Sequence, residues 1–247
     1  MNVGAILLLI LSLVIWLALV ILHARKGPRP EIRPIPAFQR LSVEAGYAAE
    51  SGGALHIALG DGGLYGSDSV LSLAALQVLS ALADKAAAYK SPPTVTVGDP
   101  TLLPLAQDII RRAYERNGLL DFYDPDAVRF VAPSSLGYAA GAGHTVASER
   151  ITANVIAGAV GAEASLIADA GQRRAIPQTV AVADGRALGA LYPVTDSIAF
   201  GEEVYAAGAQ MTGARRYLFG LLAQDILRAV LVLSIIVSAV LAFLTGW

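Results

Sequence analysis

The sequence predicts an α/β domain on a mainly parallel, doubly wound sheet of five to six strands, inserted between two transmembrane helices. Three observations lead there. Short apolar or β-branched runs alternate with helical patterns from Gly46 to about Gln210, as in a parallel sheet covered on both faces. Each end of the chain carries an apolar run long enough to cross a bilayer. The opening unit, LHIALGDGGLYGSD (Leu55–Asp68), reads as strand, glycine-rich turn and capped helix, the start of a Rossmann-like unit.

Composition narrows the function classes. The 247 residues are 55% hydrophobic, with a mean hydropathy of +0.57, too apolar for a purely soluble chain. Charged residues make up 15%, against about 25% in an ordinary globular protein. A net charge of −2 offers no basic field, which excludes nucleic acid as a partner. The absence of cysteine removes disulfides, thiolate nucleophiles and Cys-based metal sites.

The ends set the membrane expectation. Val3 to Leu22 is apolar except for Ser12, about the 20 residues a 30 Å hydrocarbon layer requires. No basic residue precedes it and no small-x-small site ends it, so it reads as an uncleaved anchor rather than a signal peptide. Arg25, Lys26, Arg29, Arg33 and Arg40 follow, with Glu31 the single acid among them. Basic flanks stay on the cytoplasmic side, which places the bulk of the chain in the cytoplasm. Pro28, Pro30, Pro34 and Pro36 make the same stretch an extended spacer. Residues 213–228 mix Arg215, Arg216 and Arg228 with Tyr217, Phe219 and leucines, as an interfacial amphipathic helix does. Residues 229–247 then cross back. The expected segments are an anchor (1–24), a basic Pro-rich linker (25–45), a cytoplasmic α/β domain (46–212), a juxtamembrane helix (213–228) and a second anchor (229–247). The expected location is the inner membrane with both termini outside, and the first partner is the lipid bilayer.

Within the domain the expected strands are Leu55–Leu59, Thr94–Val97, Val128–Val131, Ala153–Ile156, Thr179–Val182 and Ser197–Phe200. The helices between them are Ser69–Tyr89, Leu102–Asn117, Ser135–Glu149, Gly161–Gly171, Arg186–Leu191 and Glu202–Gln210, after a first short helix from Leu41 to Glu50. Helix Leu102–Asn117 turns Leu102, Leu105, Ile109 and Ala113 inward and its charges to water. Strand order stays open.

Ligands of such sheets sit beyond the carboxyl ends of the strands. Asp61, Gly62, Gly63, Asp99, Ser134, Asp184 and Glu202 fall there and are the candidate ligand residues. The glycine turn misses the dinucleotide spacing because Tyr65 stands where its last glycine belongs, and it lacks the lysine of a phosphate loop. It reads either as a structural turn capped by Ser67 or Asp68, or as a ligand cradle. Pro104 favours a helix started from a Thr101 cap, which leaves Asp99 free. The acids read as helix caps or as a catalytic or magnesium-binding cluster. No metal motif, nucleophile motif or cofactor is assigned.

Two helices lack charge. Ser69 to Ala83 carries only Ser72, Gln77 and Ser80 as a polar stripe, and Ser134 to Ser148 is rich in small residues around Gly137 and Gly141. Charge depletion marks interface cores, so both are candidate subunit contacts, the alternative being burial within the domain. Ser234, Ser238 and Ala242 form a small-xxx-small face in the last span.

The segments RPIPAFQRL (Arg33–Leu41), LHIALGDGGL (Leu55–Leu64), VGDPTLLPLAQDIIRRAYERNG (Val97–Gly118), VRFVAPSSLGYAAGAG (Val128–Gly143), GAEASLIADAGQRR (Gly161–Arg174) and GEEVYAAGAQ (Gly201–Gln210) resemble those of an uncharacterised family of bacterial two-span membrane proteins. The resemblance implies one α/β unit between two anchors and brings no activity with it. The expected function is a membrane-anchored structural or assembly protein whose cytoplasmic domain forms a homo-oligomer. The alternative is a membrane-tethered enzyme or small-ligand sensor using the glycine turn and the acidic edge.

Overall fold

The computed structural model describes residues 10–18, 21, 33–213 and 215–245. Contacts divide the chain into two units: Pro34–Thr212, and the two chain ends together. Pro34–Thr212 contains α1 (Pro36–Glu50), β1 (Ala54–Gly60), α2 (Ser69–Ala88), β2 (Thr94–Val97), α3 (Leu102–Arg116), β3 (Val128–Phe130) and α4 (Ser135–Ser148). It continues with β4 (Ile151–Ala159), α5 (Ser165–Arg173), β5 (Gln178–Val182), α6 (Gly185–Leu191), β6 (Ser197–Phe200) and α7 (Ala207–Thr212).

All strand pairs are parallel, and the order is β3-β2-β1-β4-β5-β6. This is the doubly wound order of a Rossmann-like sheet. Helices α2 and α3 pack on each other, with α1 and α7 beside α2, while α4, α5 and α6 pack together as a second layer. Both faces are covered, so the central strands are buried along nearly their whole length rather than on alternate residues. His56, Asn154 and Gln178 stand in one register row across β1, β4 and β5. On the α4–α6 side Ala58, Ile156 and Val180 meet Tyr138, Ile167 and Leu191 in one buried cluster.

Helix α2 is the backbone of the other layer. Val78, Leu79 and Leu82 are fully buried, each worth about 1.5–3 kcal/mol of transfer free energy. Among the described residues α2 is the helix whose length and composition would suit a membrane, yet 61% of that stretch is buried inside the domain. It is a core helix.

Three expectations shift. Helix α1 begins at Pro36, not Leu41, because proline at the first helical position gives up only an N–H that has no helical partner. Ala37, Phe38 and Leu41 are buried, so residues drawn as linker belong to the packed unit. In α3 the buried face is Leu102, Ala106, Ile110, Ala113 and Tyr114, and Leu105 is exposed. The chain from Arg215 to Thr245 is one continuous 31-residue helix, with no break between the segments expected at 213–228 and 229–247.

Candidate functional site

The carboxyl edge is shaped by two glycines with left-handed backbone. Gly60 ends β1 at φ +84° and Gly158 lies near the end of β4 at φ +115°, a region open to glycine alone at little cost. A Cβ on Gly158 would stand 2.6 Å from the Leu59 carbonyl oxygen, so side chains at these points would force the strand ends apart. The two ends instead stay paired, and the Asp61 N–H donates to the Ala159 carbonyl at 3.1 Å.

From β1 the chain turns to the α2 layer and from β4 to the α5 layer, which makes β1/β4 the topological switch point where such folds bind ligands. A cleft of about 380 Å³ opens there, lined by Asp61, Asp68, Ser135, Glu163, Asp184 and Arg186 among others. Arg186 grips Asp184 at 2.8 Å and holds that carboxyl below the usual range. Glu163 accepts the Gly161 N–H at 2.7 Å. With four carboxylates against one committed guanidinium, the cleft repels phosphate and accepts hydrogen bonds. Among the described residues no three His, Asp or Glu side chains converge closely enough to hold a metal ion.

The structure brings together only part of the expected site. Asp61 and Asp184 line the cleft, whereas Ser135 takes the place expected of Ser134. The Ser134 hydroxyl instead accepts the Gly137 N–H at the start of α4. Asp184 also caps α6 through the Arg186 N–H at 2.8 Å. Asp99 is not free: its Oδ1 accepts the Thr101 N–H at 2.8 Å and the Thr101 hydroxyl as well. Thr101 in turn accepts the Leu64 N–H at 3.1 Å, so the pair ties the glycine turn to the head of α3. Gly63 packs on that carboxylate, where a Cβ would stand 2.6 Å from Oδ2. Gly62 is buried, with Ala159, Asp68 and Ser72 pressed around it. Glu202 follows β6 at the sheet's far edge, three strands from β1.

Of the interface candidates on α2, Ser72 faces the core. It is fully buried, because α2 is covered round most of its circumference and its outer stripe runs through Val70, Leu73, Gln77 and Ser80 instead. Gly137 sits against the Ser134 hydroxyl and Gly141 against the Val131 side chain, so both serve contacts inside the domain. Ser234, Ser238 and Ala242 lie on the C-terminal helix, and their side chains fall outside the described residues.

A buried polar chain went unread in the sequence. His56 Nδ1 meets Asn154 Oδ1 at 2.7 Å and His56 Nε2 meets the Thr96 hydroxyl at 3.0 Å. Asn154 Nδ2 donates to Gln178 Oε1 at 2.8 Å, and Gln178 Nε2 donates to the Ala168 and Val194 carbonyls. At the other end the Tyr138 hydroxyl accepts the Gly60 N–H at 3.0 Å and donates to the Thr96 carbonyl at 3.2 Å. The Asn154 amide fixes the directions: its oxygen must accept, so His56 carries its proton on Nδ1 and accepts from Thr96. Burial holds the His56 ring down at about 4, partly offset by the Asn154 bond, and pushes the Tyr138 hydroxyl up to about 12. The row therefore works as neutral, directional scaffolding that pins the end of β1. Its sequence signal was a polar residue inside each apolar strand.

The chain belongs to a family described as a domain of unknown function (DUF6754), which matches residues 1–246. No curated protein and no solved structure matches it.

Proposed function

We propose that this family member is a two-anchor membrane protein whose α/β domain lies in the cytoplasm and assembles there with copies of itself. The observation that carries this reading is the C-terminal helix. Val230, Leu231, Val232, Leu233, Ile235 and Ile236 are 43–66% exposed. From Ala229 to Thr245 the helix carries no charged residue, and such an apolar stretch needs lipid or protein around it. At about 1.5 Å per residue, this uncharged stretch from Ala229 to Thr245 runs about 25 Å, close to the roughly 30 Å of a hydrocarbon core. Ile10, Leu11, Leu13, Val14 and Leu17 are exposed in the same way near the other end.

Two features of the domain support the rest. Helices α1 and α7, its first and last, pack on each other, an arrangement that suits tethering at both ends. The outer stripe of α2 exposes Val70 at 57% and Leu73 at 50% with no charge until Asp84, a surface fit for an interface core. A stable contact needs about 800 Å² per partner, so neighbouring residues must join the stripe. The basic residues after the first apolar run set the orientation.

A second reading, a membrane-tethered enzyme or small-ligand sensor, is favoured by the cleft at the β1/β4 switch point. Fold alone does not separate the two readings.

The natural chain has no cysteine, which makes a labelling test clean. A single cysteine at Glu115, whose side chain is 59% exposed, should resist a membrane-impermeant thiol reagent in intact cells and react after lysis. Labelling before lysis contradicts the topology.

A further inference from the structure

Besides its apolar face, helix α1 turns one buried acid to the sheet. Glu44 is 7% exposed, and both of its oxygens lie 3.1 Å from the Thr179 hydroxyl on β5. One hydroxyl carries one proton, so among the described residues the buried carboxyl has a single donor for two oxygens. A cleft of about 590 Å³ opens beside it, lined by Arg40, Glu44, Gln178 and Asp196 among others. The Asp196 carboxylate accepts the Gln178 N–H at 2.8 Å, and Arg40 donates to the Asp196 main-chain carbonyl at 3.2 Å.

The charged surroundings of Glu44 are few. Arg40 comes from its own helix and Asp196 from the turn into β6. The segments of β1, β4, β6 and α7 contain no Asp, Glu, Lys or Arg, and His56 of β1 is committed to Asn154 and Thr96. On α2, Asp84 is paired with Arg116, and Lys85 is the remaining charge. Burial is the largest influence and raises the Glu44 carboxyl above its ordinary range; Thr179 opposes, Asp196 adds and Arg40 opposes.

We infer that a protonated Glu44 clasps α1 to β5, and that losing this proton loosens the clasp, making a pH-sensitive joint where the chain enters the domain. The sign follows from linkage. A carboxyl raised in the fold above its unfolded value contributes stability that is complete below the unfolded value and is lost as pH rises through the folded one. Ionisation places a charge in a site that supplies one hydroxyl donor and faces a second carboxylate.

The test uses the full chain in detergent, with Glu44→Gln and Asp196→Asn. Infrared difference spectra read the carbonyl stretch of a protonated buried carboxyl, and hydrogen exchange, corrected for its intrinsic pH dependence, reads the hold on α1. In the wild type the band should titrate above the ordinary carboxylate range and be absent from Glu44→Gln. Protection of α1 should fall over the same range, about tenfold for each unit between folded and unfolded values, and stay level in Glu44→Gln. Asp196→Asn should move the band's midpoint to lower pH, a shift that a merely structural Asp196 would not produce. A wild-type band titrating in the ordinary range, equal pH dependence of α1 in wild type and Glu44→Gln, or an unmoved midpoint in Asp196→Asn overturns the inference.

Discussion

Acid should loosen the centre of the sheet through His56. In the neutral ring Nδ1–H donates to Asn154 and Nε2 accepts from Thr96; protonation sets a second N–H against that hydroxyl and a charge where exposure is zero. The unfolded chain takes this proton near pH 6.5, the folded chain only near pH 4. Between those values the unfolded state holds more protons, so stability falls as pH falls. The contribution is complete above pH 6.5, and the gap is worth about 3 kcal/mol by pH 4. Trp16 and Trp247 both lie outside Pro34–Thr212, so tryptophan fluorescence is blind to this event. Hydrogen exchange of β1 and β4 amides, corrected for intrinsic rates, is the assay. Glu44 acts with the opposite sign, and the comparison that isolates the ring is wild type against His56→Gln. The variant should lose the acid-dependent drop of about 3 kcal/mol. An equal drop in both proteins refutes the reasoning.

Two tyrosines should respond oppositely to loss of the hydroxyl. Tyr138→Phe leaves the Gly60 N–H and the Thr96 carbonyl short of a partner and should cost about 1–3 kcal/mol in denaturant unfolding. Tyr114→Phe removes a buried hydroxyl that has no hydrogen-bond partner among the described residues and should be neutral or stabilising by up to about 1 kcal/mol in the same assay.

Local chemistry made most elements legible. Strands β2 and β6 and the start of α2 fall where their flanking Pro, Asp and Gly residues put them. What stayed hidden had two physical sources. Helix α2 is apolar nearly all round, so its periodicity carries no phase, and Ser72 could be assigned to either side. The row from Gln178 to Tyr138 needs β4 placed beside β1 and β5 beside β4, which is a fact of strand order and not of any local pattern. Pro36 reads in sequence as part of an extended spacer, although proline opens helices well. The role of Asp99 was open to local reading, since an aspartate two residues before a threonine is a standard cap geometry. Of the candidate site, the carboxyl edge was legible, and the sharing of its acids between cleft and helix caps was not.

Self-association is the claim on which the account rests most heavily, and sedimentation velocity of the full chain in detergent tests it directly. The wild type should run as a closed assembly larger than a monomer across concentrations. Leu73→Glu, which places charge on the exposed stripe of α2, should break it into smaller species without unfolding the domain. A wild type that sediments as a monomer at every concentration contradicts the account, and the ligand-binding reading then stands in its place.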